Sequence, residues 1–328
     1  MLPADDARWM AAAAALAERA RPSASPNPGV AALVLQDGRV VGSGWTQPGG
    51  RPHAEAVALR QAGNFAKGAV VYVTLEPCAH RSARGPACAD SLMAAGIARV
   101  VVGMIDPDPR TAGAGIARLR ESGIAVTCLG WEADRLGLAP HQTAFDRSRP
   151  FVTLKLAMSM DGCIAAANGE SQWITGGPAR DHAHRERARH DAILVGGQTL
   201  RDDDPRLNVR LAGLEGRSPR RIVLTRKPAP PGWIALPSPL AVNTLDGVRT
   251  LMVEGGAGAA GAFLSAGLVD RLLIYRAPIL LGGGRRGIET AGAGGLDAAF
   301  RGGWQLTDTR PLGRDRLEVY RPQPVERE

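Results

Sequence analysis

Apolar and polar positions along the first 146 residues predict strands that alternate with helices. Residues 69–76 and 100–105 are apolar runs without alternation, which is typical of strands buried on both faces of a sheet. A helix is predicted from His53 to residue 62, where Gly63 ends it. This alternation predicts a three-layer α/β sandwich. Further strands are expected at 30–35, 40–45 and 124–129, and further helices at 5–16, 88–95, 115–121 and after Trp131.

The second half repeats the alternation after a short polar linker at residues 146–150. A strongly charged helix is predicted over 179–190, and a polar loop around Trp173 precedes it. Aspartates and a proline at 202–205 predict a loop, and the glycine-rich residues 282–303 predict a flexible region. The pattern therefore predicts two domains, residues 1–146 and 150–328. Strands of the second are expected at 151–157, 192–195, 221–224, 251–254, 272–275 and 317–320.

Composition argues against two classes of partner. The 328 residues carry a formal net charge of +8, but the arginines are spread along the whole chain and no aromatic residues alternate with them as a base-stacking surface requires. The apolar run at residues 10–17 is too short to cross a bilayer, and no basic secretory start precedes it. We therefore predict a cytoplasmic protein with reduced thiols that binds neither nucleic acid nor membranes.

The most informative pattern joins His53 and Glu55 to Cys78 and Cys88. One imidazole and two thiolates suit a tetrahedral zinc with a fourth position left for water, and a neighbouring carboxylate can move the proton of that water. This combination of residues is typical of zinc-dependent base deaminases. In their usual pattern two residues separate the cysteines, whereas nine separate them here. A disulfide between the cysteines, and a structural zinc closed by His80, stay open as alternatives.

A second pattern, Gly-x-Gly-x-x-Gly, occupies residues 256–261. A predicted strand precedes it and a helix can begin within it, so its backbone N–H groups could hold a pyrophosphate. No acidic residue follows about twenty positions later, which argues against a true Rossmann unit. Small residues that pack a helix on a sheet would explain the pattern equally well.

Taken together, the motifs resemble the bifunctional deaminase–reductase family of riboflavin biosynthesis over nearly the whole chain. The first half matches at Asn27 with Pro28, at 53–55, at 74–80, at Cys88, and at Asp106 with Pro107. The second half matches at 154–156, at Ser159 with 161–162, at 169–175, at 203–205 with Leu207 and Arg210, and at 253–256.

The resemblance implies a cytidine-deaminase-like sandwich followed by a dihydrofolate-reductase-like α/β domain. The first would deaminate 2,5-diamino-6-(5-phosphoribosylamino)pyrimidin-4-one hydrolytically with zinc. The second would reduce the ribosyl group to ribityl with NADPH. A homo-oligomer is also expected. The rival hypotheses are a deaminase of nucleic-acid bases and a deaminase whose reductase half is degenerate.

Motif matches also imply a role for individual residues. His53, Cys78 and Cys88 would hold zinc, while Glu55, Lys155 and Glu254 would be catalytic. The substrate contacts would be Asn27, His80, Arg84, Asp106, Ser171, Arg187, Leu207, Arg210 and Glu254. The nucleotide contacts would be Ala157, Trp173, Thr199, Asp203, Gly256, Ala257, Gly258, Ala259, Ala260, Gly261 and Ala262.

One departure from the family concerns the reductase half. Between residues 225 and 250 the chain is short and proline-rich where the family has more chain to lie under the adenosine. Arg226 also stands where a small polar contact to the nucleotide is usual. We therefore expect reductase activity with weak NADPH affinity and poor discrimination against NADH.

Overall fold

The computed structural model describes residues 4–21, 23–80, 85–289 and 303–323, and the chain divides into two compact units, Met1–Arg149 and Pro150–Glu328. Within the described ranges, none of the helices has the length and hydropathy needed to span a bilayer. Each unit is built around one sheet of its own.

The first unit is a five-stranded sheet with helices packed on it. The strand order is β2-β1-β3-β4-β5, with β1 antiparallel to both neighbours and β3, β4 and β5 parallel. The strands are β1 (Ala31–Gln36), β2 (Arg39–Trp45), β3 (Val70–Leu75), β4 (Arg99–Met104) and β5 (Ala125–Cys128). The helices are α1 (Ala4–Ala17), α2 (Ala54–Ala62), α3 (Cys88–Ala94), α4 (Ala114–Glu121) and α5 (Ala139–Asp146).

The centre of this sheet confirms the prediction, made from the unalternating apolar runs, of strands buried on both faces. Val71 and Val73 of β3 and residues 100–102 of β4 have no exposed surface. Side chains on both faces of these strands are therefore covered, which explains why they show no period of two. The helix expected after Trp131 begins at Ala139, because Gly137 takes a left-handed turn and Pro140 suits the first turn of a helix.

The second unit is an eight-stranded sheet whose first six strands run parallel. Its order is β10-β9-β8-β11-β6-β12-β15-β14, and β14 and β15 form an antiparallel hairpin at one edge. Its eight strands are β6 (Phe151–Met158), β8 (Ala192–Gly196), β9 (Arg220–Leu224), β10 (Trp233–Leu236), β11 (Thr250–Val253), β12 (Arg271–Arg276), β14 (Trp304–Leu312) and β15 (Asp315–Pro322). Two further short strands, β7 (Cys163–Ala165) and β13 (Arg285–Arg286), pair with each other as a separate two-stranded sheet. The helices are α6 (Gly177–Arg187), α7 (Gly197–Asp203) and α8 (Ala257–Ser265).

Several elements of this unit have different boundaries from those predicted from the sequence. The loop expected at 202–205 is wrong for its first two residues, because Asp202 and Asp203 end α7 and Asp204 takes the left-handed conformation that closes a helix. Strands β10 and β14 were not predicted from the sequence. In the expected flexible region, residues 285–286 pair with β7, whereas residues 290–302 lie outside the described residues.

The strand order places a crevice at one end of the second sheet. The chain goes outward through β8, β9 and β10, returns to β11 between β8 and β6, and then continues to β12 on the far side of β6. Ligands of open parallel sheets bind at the carboxyl ends of strands where the order reverses in this way. Glu254 and the glycine segment (residues 256–262) follow β11 directly at that end.

Two candidate active sites

Three sulfur and nitrogen donors meet in the first unit. His53 is the N-cap of α2, Cys78 follows β3, and Cys88 is the first residue of α3. The Nδ1 atom of His53 lies 3.2 Å from the Cys88 sulfur and 3.7 Å from the Cys78 sulfur, and the three ligand atoms all lie within 4.8 Å of one another. The chain brings them together because helix starts and strand ends meet at one edge of the sheet.

The donor chemistry of this cluster fits zinc. Both cysteines are free, so the alternative of a disulfide is wrong. Hydrogen bonding from the Cys88 thiol lowers the pKa of Cys78, and the nearby His53 acts in the same direction, so Cys78 is poised as a thiolate ligand. In the described part of the chain no fourth His, Cys, Asp or Glu joins the group. His80 is exposed and lies 3.5 Å from the Thr111 hydroxyl instead, so the arrangement does not support a shell closed by His80.

Glu55 lies beside this cluster with its side chain buried. Only 4% of the residue is exposed, and burial raises the pKa of its carboxyl above the usual range. A hydrogen bond with the Cys88 thiol holds this carboxyl at the cluster. A buried carboxyl next to an open metal position is the arrangement that proton transfer requires.

Asn27 reaches the same cluster from the loop before β1. Its amide nitrogen donates to the Gly50 carbonyl (2.9 Å) and lies 3.4 Å from Nε2 of His53. Gly50 has a φ of +85°, and a Cβ atom there would meet the Asn27 side chain at 2.7 Å. Gly50 is therefore needed both for its backbone conformation and for the close approach of Asn27.

Asp106 is held by a histidine that no local motif indicates. Nε2 of His141, on α5, lies 2.9 Å from Oδ1 of Asp106, and the Asp108 N–H donates to the same oxygen (3.0 Å). The carboxylate of Glu76, next to the cysteine motif, accepts N–H bonds from Gly113, Gly115 and Ile116 at the start of α4. Glu76 thereby fixes the loop that carries Asp106, which is an anchoring role.

The second unit carries a compact group of three charges. The Arg187 guanidinium donates to both oxygens of Glu254 (Nε to Oε1, 2.6 Å; Nη2 to Oε2, 2.8 Å), and Nζ of Lys155 lies 3.4 Å from Oε2. Burial alone would raise the pKa of Glu254, but the charges of Lys155 and Arg187 outweigh it and hold this pKa at about 2. Glu254 is therefore a fixed anion, and Lys155 also lies 5.8 Å from the Tyr275 ring centroid.

Two adjoining cavities open on Lys155. The larger has a volume of about 850 Å³ and is lined by the glycine segment, and the smaller, of about 240 Å³, is lined by one face of α6. Both have the same five residues in a shared wall, namely Lys155, Ala157, Ile164, Ser171 and Asp203. Thr199 lines the larger cavity, and its hydroxyl accepts the Gly256 N–H at 3.3 Å.

The glycine segment divides into two parts. Residues 256–259 line the larger cavity, with Gly256 as the N-cap of α8, so the strand and helix expected around the segment are confirmed. Ala260 and Gly261 are buried, Ala262 is half-buried, and none of these three lines the cavity. A Cβ atom on Gly261 would meet the Glu289 carbonyl at 1.7 Å, so this glycine serves packing.

Four other residues were predicted to contact the substrate or the nucleotide. Trp173 lines the smaller cavity, as does Arg210. The Leu207 side chain is buried in an apolar cluster with Ile193, Val195 and Met252, so any contact with substrate must come from its backbone. Arg84 lies outside the described residues.

Comparisons with known families and proteins agree with this arrangement. Residues 3–104 match the family described as the cytidine and deoxycytidylate deaminase zinc-binding region. Residues 150–236 and 236–315 match the RibD C-terminal domain, and the two matched stretches meet inside the interval that was predicted to be short.

Relatives cover nearly the whole chain. The riboflavin biosynthesis protein RibD of Escherichia coli is 40% identical over 338 residues, which is 87% of this chain and 91% of the relative. RibD of Mycobacterium tuberculosis is 40% identical over 310 residues, covering 89% and 90%. Among solved structures, RibD of Acinetobacter baumannii matches with a TM-score of 0.85, 34% identity and coverage of 97% and 99%.

Proposed function

Because the chain belongs to the RibD family, the bifunctional deaminase–reductases of riboflavin biosynthesis, we propose that the two sites described above carry out these two activities with the residues named here. Zinc is the cofactor of the deaminase half and NADPH is that of the reductase half. The observation that carries the proposal is the convergence of His53, Cys78 and Cys88 beside the buried Glu55.

In the deaminase unit His53, Cys78 and Cys88 would hold the zinc. Bound zinc supplies a coordinated water whose pKa is low enough for it to act as a nucleophile at neutral pH. Water adds to the amino-bearing ring carbon of 2,5-diamino-6-(5-phosphoribosylamino)pyrimidin-4-one, and the amino group leaves as ammonia. Glu55 takes the proton from the water and passes it to the leaving nitrogen.

Asn27 and Asp106 would orient the substrate in this unit. Asn27 is positioned against His53 by Gly50, and one oxygen of Asp106 is held by His141 and by the Asp108 backbone. Pre-oriented polar groups of this kind reduce the ordering that the substrate must undergo on binding. His80, which is exposed at the same edge, would be a further contact.

In the reductase unit the larger cavity would hold the dinucleotide and the smaller one the phosphoribosyl group. NADPH supplies the hydride that reaches the sugar carbon C1′. Lys155, in the wall shared by both cavities, donates a proton to the ring oxygen as the C1′–O4′ bond opens, and Glu254 orients the lysine through its 3.4 Å contact with Nζ. Ser171 and Asp203, in the same shared wall, would contact substrate and nucleotide respectively.

The experiment that tests this function uses the full-length protein with the diaminopyrimidinone phosphate, with and without NADPH. We expect ammonia release in both cases and NADPH oxidation only after deamination. Ammonia release without any NADPH oxidation would favour a deaminase with a degenerate reductase half. NADPH oxidation that precedes ammonia release would reverse the proposed order.

A cytoplasmic homo-oligomer is part of the same proposal. Cys78 and Cys88 are free thiols, and the cytosol is a compartment that keeps thiols reduced. The nine-residue strand β14 is an edge of the larger sheet and exposes Leu306, and such edges are templates for pairing with another chain. Light scattering on the purified protein tests this, and a monomeric mass would contradict it.

A further inference from the structure

Lys155 lines both cavities of the reductase unit, so the direction of its side chain decides where its ammonium group can donate a proton. Glu254 holds that group weakly. Arg187 donates to both oxygens of Glu254 at 2.6 and 2.8 Å, whereas Nζ of Lys155 lies 3.4 Å from one of them. Lysine is a compact charge on a flexible four-carbon stem, so one long contact does not fix its position. A second contact is therefore required.

The ring of Tyr275 supplies this second contact. Nζ of Lys155 lies over the ring, 5.8 Å from its centroid, which is within the distance of about 6 Å at which a cation is attracted to an aromatic face. The strand register produces the contact, because Lys155 of β6 is opposite Leu273 of β12 and Tyr275 follows Leu273 by two residues. Side chains two residues apart on a strand share a face, so Tyr275 and Lys155 lie on the same side of the sheet.

Tyr275 is itself held in one place. Only 1% of the residue is exposed, and its hydroxyl lies 2.9 Å from Nδ1 of His182, a buried residue of α6. The ring packs in an apolar cluster with Ala179, Ala183, Leu273 and Leu317. Turning the ring would break the hydrogen bond and open a void in this cluster, and both changes would destabilise the fold.

Tyr275 has no direct access to the substrate. The described residues that line the two cavities do not include it. Burial raises the pKa of Tyr275 well above its usual value, and the charges of Glu186 and Glu254 act in the same direction. The phenol therefore stays protonated at neutral pH and offers Lys155 an uncharged aromatic face. Any influence of Tyr275 on the reaction must reach it through Lys155.

We propose that Tyr275 is a positioning residue of the reductase, which holds the ammonium group of Lys155 at the wall shared by the two cavities. Proton donation to the sugar oxygen requires the donor within hydrogen-bonding distance as the C1′–O4′ bond opens, so a lysine that is free to turn would donate less often. His182 contributes by fixing the Tyr275 hydroxyl. This assignment rests on the proposed reductase function, in which Lys155 is the proton donor.

Two substitutions in the full-length enzyme separate the ring from the hydroxyl. Tyr275→Phe and Tyr275→Leu both leave His182 without its hydroxyl partner, so both should lower the melting temperature. Only Tyr275→Leu removes the ring. We expect Tyr275→Leu to lower kcat for NADPH oxidation about ten-fold with both KM values nearly unchanged, and Tyr275→Phe to retain most of kcat. Ammonia release should be normal in both variants.

Tyr320→Leu is the matched control, because it removes a tyrosine ring from the opposite face of the same sheet. Tyr320 of β15 is opposite Leu272 of β12 and packs against the apolar cluster on that face. The substitution should lower the melting temperature and leave kcat unchanged. The proposal is overturned by an equal fall in kcat for Tyr275→Phe and Tyr275→Leu, by a fall of the same size for Tyr320→Leu, or by no fall for Tyr275→Leu.

A spectroscopic measurement tests the contact without any turnover. The chain has three lysines, Lys67, Lys155 and Lys227, so labelling of lysine Cε with ¹³C gives three signals in an NMR spectrum, and Lys155→Arg assigns one of them. The ring current of Tyr275 should shift the Lys155 signal upfield, and this shift should persist in Tyr275→Phe and disappear in Tyr275→Leu. A Lys155 signal at the same position in the parent and both variants rejects the positioning role, even in an active reductase. The expected shifts in a protein without hydride transfer would support the contact and contradict the reductase function alone.

Discussion

Each of the two sites contains a buried glutamate, and the two carboxyl groups have opposite pKa shifts. Burial raises the pKa of Glu55, whereas Lys155 and Arg187 hold the pKa of Glu254 at about 2 despite burial. The difference comes from neighbours, because Glu55 lies among thiols and an imidazole, whereas Glu254 lies between the side chains of Lys155 and Arg187. The same residue type can therefore carry protons in one site and remain a fixed anion in the other.

The largest effect is expected from Glu55→Gln. General acid–base groups contribute about 10² to 10⁴ in rate, so we expect deamination to fall about a thousand-fold while zinc content and reductase turnover stay normal. Ammonia release and metal analysis check this. The matched variant Cys78→Ser should lose both deamination and the metal. Normal deamination by Glu55→Gln would show that Glu55 does not transfer protons in the reaction.

Glu254→Gln should impair the other site in a different way. The substitution leaves Arg187 and Lys155 without their shared anion, so we expect the reductase rate to fall about a hundred-fold and the protein to lose some stability, since truncating a buried charge pair is costly. NADPH oxidation and thermal unfolding measure the two effects. Deamination should be unaffected, and an equal loss of both activities would indicate general misfolding.

The stability of the reductase unit should depend on pH through His190. Burial lowers the pKa of His190 to about 4, and the charge of Arg271 adds to this, whereas the unfolded value is about 6.5. A depressed pKa stabilises the fold fully above pH 6.5, and this contribution, on the order of 3 kcal/mol, is lost as the pH falls toward 4.

His190→Gln tests this dependence because glutamine cannot titrate. The melting temperature of the parent protein should fall more steeply between pH 6.5 and 4.5 than that of the variant. Glu186, whose low pKa also depends on Arg271, titrates at still lower pH and is common to both proteins. Parallel curves would show that His190 does not contribute.

A smaller effect is expected from His141→Ala in the deaminase unit. His141 holds one oxygen of Asp106, so its loss should let that carboxylate rotate and should raise the deaminase KM about ten-fold, which corresponds to one hydrogen bond to a charged group. The zinc content should not change. His141→Gln, which retains a donor, should recover most of the affinity, and a fall in kcat instead would indicate a role in the chemical step.

The smallest difference is expected between NADPH and NADH. The interval at 225–250 is short, and the only basic residues in the wall of the larger cavity are Lys155 and Arg285 within the described ranges. We therefore expect the two KM values to differ less than about ten-fold, since one exposed ion pair contributes at most about 1 kcal/mol. Arg285→Ala should remove the remaining preference. A large preference for NADPH would show that residues near Arg226 bind the second phosphate.

The sequence by itself determined most strands of both sheets and the identity of the zinc ligands. Unalternating apolar runs are explained by strands covered on both faces, and the motif around His53, Cys78 and Cys88 requires particular atoms at particular positions. The helix from His53 to Gly63 was predictable to within a residue, because its ends are set by local backbone chemistry.

Only the tertiary structure decided which charges meet. Arg187 and Glu254 are 67 residues apart, and nothing in either segment shows that they pair or that Arg180 and His184 line the same cavity as Arg187. His141 was missed for the same reason, since it reaches Asp106 from a helix 35 residues further along the chain. Short-range patterns record propensity and burial, whereas the charge state of a side chain depends on partners that only the folded chain brings within hydrogen-bonding distance.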